Sequence, residues 1–138
     1  MALEYLRRSL AFDPESNFSY RILGMVYYAK DDFYDAALCF DRAVFFDPDD
    51  LSSLLYLGMA QFWNGKTALS QKAFTEAARL SGRESDVLQF TAIQIYNHGQ
   101  TGYAVYFLKE TIKRFPKDEQ LRLLLEKMSE KNVLEKLN

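Results

Sequence analysis

Apolar residues recur along this chain at helical spacing. Tyr20, Leu23, Gly24 and Tyr27 share one face, and Ala36, Phe40, Ala43 and Val44 share a face of the next segment, the spacing of an amphipathic helix. The pattern returns with a period of 34 residues. All three prolines, Pro14, Pro48 and Pro116, fall on one phase of it, 34 and 68 residues apart, which random placement would produce roughly once in a thousand tries. Gly24 recurs as Gly58, Gly65 as Gly99, Phe40 as Phe74 and Ala43 as Ala77, while Ala36 has counterparts at Ala2 and Ala104.

Each period therefore holds two helices joined by a short turn. Gly65 and Gly99 mark that turn in two copies, and Lys30, Asp31 and Asp32 take its place in the first, since glycine and short polar residues close tight connections. Pro48 and Pro116 should end the second helix of their copies, because proline lacks the amide donor and clashes with the preceding turn. Asp49, Asp50 and Ser85 are positioned to cap the helix that follows. Complete hairpins are expected at about 17–50, 51–84 and 85–118 within one domain spanning 1–138. Residues 1–16 match the second helix of a partial repeat, since Ala2, Leu6, Ser9 and Pro14 stand 34 residues before Ala36, Phe40, Ala43 and Pro48. Residues 119–138 read as a capping helix with Leu121, Leu124, Leu125 and Met128 on one stripe; a terminal repeat needs such a lid to keep its apolar face from water.

The run Tyr20-Arg21-Ile22-Leu23-Gly24-Met25-Val26-Tyr27, followed by Ala36, Phe40, Ala43 and Pro48, resembles the tetratricopeptide repeat (TPR), W-x-x-L-G-x-x-Y then A-x-x-x-F and P. The second copy keeps Leu54, Leu57, Gly58, Phe74 and Ala77 but has Gln61 for the tyrosine, Ser70 for the first alanine and Gly82 for the proline. The third keeps Leu88, Ala104 and Pro116, with Ala92 for the glycine and Leu108 for the phenylalanine. The resemblance implies an all-α fold, a right-handed superhelical stack of antiparallel helical hairpins with a C-terminal capping helix. It also implies that the first helices line a concave groove that holds peptides or helices.

On that reading the groove would present Phe18, Arg21, Ile22, Met25 and Tyr28 from the first copy. The second would add Leu55, Tyr56, Met59, Phe62 and Trp63, and the third Gln89, Phe90, Ile93, Tyr96 and Asn97. Such a wall suits an apolar segment, with aromatic and Met side chains giving adaptable contact. Burying three ligand side chains would release about 5 to 9 kcal/mol gross, which association costs reduce to micromolar affinity or weaker. The Lys, Arg and Asn cluster with which some members of the family clamp acidic chaperone tails has only Arg21 and Asn97 as counterparts. The apolar groove is closer in character to the secretion chaperones of bacterial injection systems. A structural alternative is self-assembly into a homo-oligomer through the terminal helices.

Composition narrows the partners. Hydrophobic residues make up 49% of the chain and charged residues 26%, enough for a packed core under a solvated surface. The formal charge is -2, with 17 basic and 19 acidic residues interspersed, and this excludes a nucleic-acid partner that needs clustered Lys and Arg. Apolar runs such as Leu54 to Ala60 fall far short of the roughly 20 residues that span a bilayer, so no membrane span is expected. The single cysteine, Cys39, fits a reducing, cytoplasmic compartment. The start carries no export signal, although a beginning in mid-repeat leaves an upstream signal open.

No catalytic residue, cofactor or metal site is expected. His98 is the only histidine and lies beside the Gly99 turn, far along the chain from Cys39. Zinc needs three or four such ligands. Asp47, Asp49 and Asp50 lack the spacing of a calcium loop, and the glycines lack that of a phosphate loop.

Overall fold

The computed structural model describes residues 2–137, with side chains described for 4–131; the first and last residues of the expected partial repeat and capping helix lie outside that range. The described residues form eight helices and no strands: α1 (Ala2–Phe12), α2 (Asn17–Ala29), α3 (Phe33–Phe46), α4 (Leu51–Trp63), α5 (Thr67–Ser81), α6 (Glu84–Asn97), α7 (Thr101–Arg114) and α8 (Glu119–Leu137). The fold is all-α and built from repeated helical hairpins. Among the described residues no helix is long and apolar enough to cross a membrane.

Local chemistry places the ends. Ser16 and Asp50, 34 residues apart, accept the backbone N–H of Ser19 and Ser53 and so cap α2 and α4, satisfying donors that the first turn leaves free. Asp32 caps α3 through the N–H of Asp35. Of the other expected caps, Asp49 precedes the capping residue, and Ser85 sits inside α6, which begins one residue earlier at Glu84 behind an uncapped Arg83. The second helices α3 and α7 stop at Phe46 and Arg114, two residues before Pro48 and Pro116. Asp31 takes the left-handed conformation (φ 58°) that Gly65 and Gly99 take in the later turns, so aspartate makes the bend at a position where glycine would be unstrained.

The chain divides into two compact units, residues 1–82 and 83–138. In the first, α1 to α5 pack each on the next, and α2 also touches α4. The core of its first hairpin centres on Phe40, fully enclosed, whose ring crosses Gly24: a Cβ added there would lie 2.8 to 3.0 Å from three ring atoms. The second hairpin repeats the device with Gly58 under Phe74. In the second unit α6 packs on α7 and α7 on α8. There Ala92, Ile95, Ala104, Leu108 and Leu121 are fully enclosed and Met128 nearly so, while Leu124 and Leu125 are half-buried.

Candidate functional site

The first unit gathers its aromatic side chains across α2, α3 and α4. Tyr56 of α4 stacks on Phe40 (centroids 5.6 Å apart) and meets Tyr28 of α2 edge-on at 5.2 Å. Trp63 stacks on Phe33 at 5.9 Å, meets Phe62 edge-on at 5.0 Å, and donates its indole N–H to the Tyr28 hydroxyl at 3.3 Å. Phe33 in turn packs edge-on against Tyr28 at 5.4 Å. Offset and edge-on pairs of this kind hold rings in fixed orientations. Burial pushes the Tyr28 phenol up to about 12, opposed by the hydrogen bond from Trp63, so this hydroxyl is neutral over the physiological range.

Of the side chains expected to face a ligand, Met25, Leu55, Tyr56, Phe62 and Trp63 are half-buried, each with surface left to offer. Phe18 is 61% exposed and lies apart from the ring cluster, under the Arg21 guanidinium at 5.7 Å. Tyr28 and Met59, at 7% and 0% exposure, offer a ligand almost no surface. They stand one period from Phe62 and Met25, which are half-buried; the repeat fixes which way a residue faces, while its neighbours decide whether it is covered. Tyr28 serves instead as the floor on which Tyr56 and Trp63 are set.

Arg21 is held rather than free. Its guanidinium lies 3.4 Å from the Asp50 carboxylate, which also accepts from Asn17 Nδ2 at 2.9 Å and the Ser53 hydroxyl at 2.6 Å. Burial acts to raise the Asp50 carboxyl, but the bonds from Ser53 and Asn17 and the charge of Arg21 together hold it below the usual carboxylate range. Asn17 spends its second hydrogen on the carbonyl of Ala43 at 2.8 Å, tying α2 to the end of α3. Neither Asn17 nor the enclosed role of Asp50 is visible from spacing, though the recurrence of a capping residue at 16 and 50 is a clue.

In the second unit, Phe90, Ile93 and Tyr96 are half-buried on α6 and Asn97 is exposed. Lys131 of α8 places its ammonium 4.9 Å over the Tyr96 ring, a cation–π contact that covers part of this face. His98 turns its Nδ1 to the carbonyl of Gln94 at 2.9 Å. Cys39 is buried, and burial, helped by the charges of Asp35 and Asp32, pushes its thiol up to about 11, so it is un-ionised near neutral pH. Among the described residues no group of three or more His, Cys, Asp or Glu could hold a metal ion.

Neither a family model nor a curated protein matches the chain, but solved structures do. It is similar to MamA at 19% identity, with 96% of this chain and 72% of that one covered and a TM-score of 0.64. It is similar to TTC0263, a thermophilic TPR protein in Thermus thermophilus, at 18% identity, with 91% and 70% covered and a TM-score of 0.60. YrrB, a TPR protein with an unusual peptide-binding site, aligns at 14% identity over 87% of this chain and 62% of that one, with a TM-score of 0.57. At such identities the likeness carries the fold.

Proposed function

For a chain with the fold of tetratricopeptide-repeat proteins, we propose a protein-interaction module whose first unit grips an apolar peptide or helix. The grip is the half-buried face of α2 and α4, with Met25, Leu55, Tyr56, Phe62 and Trp63 as contacts and Phe18 and Arg21 at its edge. Phe90, Ile93 and Asn97 of α6 offer a surface of the same kind in the second unit. The observation that carries this reading is the fixed ring cluster: Tyr56 and Trp63 are held by Tyr28, Phe33 and Phe40 and still keep exposed surface. Rigid aromatic side chains bind at small entropic cost. That YrrB carries a peptide-binding site supports the class of ligand.

The test is selection from a random peptide library by the wild type and by Phe62→Ser, with circular dichroism to confirm that both are helical. Phe62 is chosen over Tyr56 because Tyr56 also packs on the enclosed Phe40. Apolar and aromatic peptides should be enriched by the wild type and bind Phe62→Ser at least tenfold more weakly, as loss of an aromatic anchor commonly costs about 2 kcal/mol or more, roughly thirtyfold. Equal binding by the two proteins would remove the face from consideration. A second reading, self-association through α1, is favoured by Tyr5 and Phe12 on that helix, 74% and 93% exposed. It gains if the same samples sediment as a dimer that Phe12→Glu dissociates.

A further inference from the structure

The first unit contains the same three-helix layer twice, one period apart: α1, α2 and α3, then α3, α4 and α5. In the first layer apolar side chains pack between the helices. Leu6, Leu23 and Cys39 form a buried cluster, Leu10 and Tyr27 pack against it, and the Tyr27 hydroxyl accepts a hydrogen bond from Arg7 at 3.1 Å. In the second layer the residues 34 positions on are all smaller at three of these places: Val44 for Leu10, Gln61 for Tyr27 and Ala73 for Cys39. Phe40 stands in for Leu6 but does not make up the loss, since its ring is turned over Gly24 and against Tyr56. What remains is a cleft of about 560 Å³ whose lining includes Val44, Leu54, Leu57, Gln61 and Ala73.

The polar contact is inverted as well. Arg7, the donor of the first layer, corresponds to Asp41, which lines the cleft. The Tyr27 hydroxyl corresponds to the Gln61 amide, whose Oε1 is buried with no hydrogen-bond partner. A buried acceptor left unpaired costs free energy that a ligand donor recovers.

We propose that this cleft binds a phenolic ring, which occupies the space filled by the Tyr27 ring one layer earlier and donates its hydroxyl hydrogen to Gln61 Oε1. The apolar walls take the ring, and the unpaired acceptor at Gln61 favours a ligand that donates, while Asp41, Lys72 and Glu76 also line the cleft. The site stands on α3, α4 and α5 and does not depend on the peptide-binding reading.

The probe is p-cresol, titrated into the labelled protein by two-dimensional amide NMR alongside toluene, which has the ring without the donor. Shifts should concentrate on α3, α4 and α5, with p-cresol bound about five- to tenfold more tightly than toluene, the value of one hydrogen bond. Gln61→Tyr refills the space with the side chain of the first layer and should abolish both. Val44→Leu with Ala73→Cys, which narrows the cleft by a separate route, should weaken both if the first variant misfolds. Gln61→Met keeps the volume, removes the acceptor, and should leave toluene unchanged while p-cresol falls to its level. N-acetyltyrosinamide separates the sources: if it binds at the same amides the ring belongs to a polypeptide's tyrosine, and if p-cresol binds without it the ligand is a free small phenol. Equal affinity for p-cresol and toluene, no p-cresol shifts at millimolar concentration, or shifts that survive Gln61→Tyr would each overturn the proposal.

Discussion

The first and third hairpins solve one packing problem with opposite allocations of volume. Where the two helices cross, the first hairpin has Gly24 beneath Phe40, and the third has Ala92 and Leu108 at the same register. All but Gly24 of these are 0% exposed, and Gly24 is itself buried. The first helix has gained a methyl group, and the larger partner on the second has shrunk from a phenyl ring to an isobutyl group. The crossing is thus a volume-conserving pair, the kind of exchange that close-packed interiors accept. The second hairpin keeps Gly58 and Phe74, but Phe74 is half-buried, so its ring has room that Phe40 lacks.

The largest consequence concerns the ring. Phe40→Ala should cost the first unit about 3 to 5 kcal/mol, the usual loss for an enclosed aromatic, because Phe40 also supports Tyr56. Phe74→Ala should cost roughly half as much, since part of that ring is in water already. Urea unfolding followed by Trp63 fluorescence reads the first unit alone, as the chain has one tryptophan. Equal losses at 40 and 74 would mean that the two hairpins are packed alike despite the difference in exposure.

A smaller effect tests the exchange itself. Gly24→Ala gains about 1 kcal/mol of helix propensity but drives a methyl group into an enclosed ring, a cost of about 1 to 3 kcal/mol, so the net change should be a modest loss. Gly58→Ala should be milder, even though its Cβ would approach Phe74 to 2.5 Å, because Phe74 can turn outward. The double variant Gly24→Ala with Phe40→Leu recreates the pair of the third hairpin. It should be more stable than the two single losses added together, a coupling that neighbours in contact show. Strict additivity in denaturant midpoints would show that the glycine and the ring do not share one volume.

This allocation explains what could be read in the sequence. The small and large residues at 24, 40, 58, 74, 92 and 108 recur at a fixed interval, so the hairpins, their order and the residues at each crossing follow from the period alone. Whether a side chain is covered depends on approach distances between helices, which periodicity does not carry. Met25 and Met59 share a register, yet Met59 is fully enclosed and Met25 is not. Turn chemistry is legible where glycine supplies it and obscure at Asp31, where an aspartate adopts the same left-handed bend. The aromatic cluster is foreseeable in part: Tyr28, Tyr56, Phe62 and Trp63 do come together. Phe33, at the first position of α3, is not, because its place opposite Trp63 arises from the packing of α3 on α4.

The last contrast is electrostatic and separates the start of the second hairpin from the start of the third. α4 begins at a carboxylate, Asp50, that caps the helix and holds Asn17, Ser53 and Arg21, whereas α6 begins at Arg83 with no side-chain cap. Because the Asp50 carboxyl is held below its ordinary range, it binds its proton less readily in the folded chain than in the unfolded one. Its contribution is therefore complete above the unfolded value near 4 and is lost as pH falls through the lower folded value. Asp50→Asn keeps a capping oxygen while removing the charge that Arg21 faces. At pH 7 the variant should be less stable by about 1 kcal/mol, the net worth of a typical intramolecular hydrogen bond. The gap should narrow as the pH is lowered below the unfolded value near 4 and the wild-type carboxyl takes up its proton too. Urea midpoints by Trp63 fluorescence, followed from pH 7 into the acid range, decide the matter. A gap of constant size would mean that Asp50 acts as a neutral cap and that its charge contributes nothing to the junction of α2, α3 and α4.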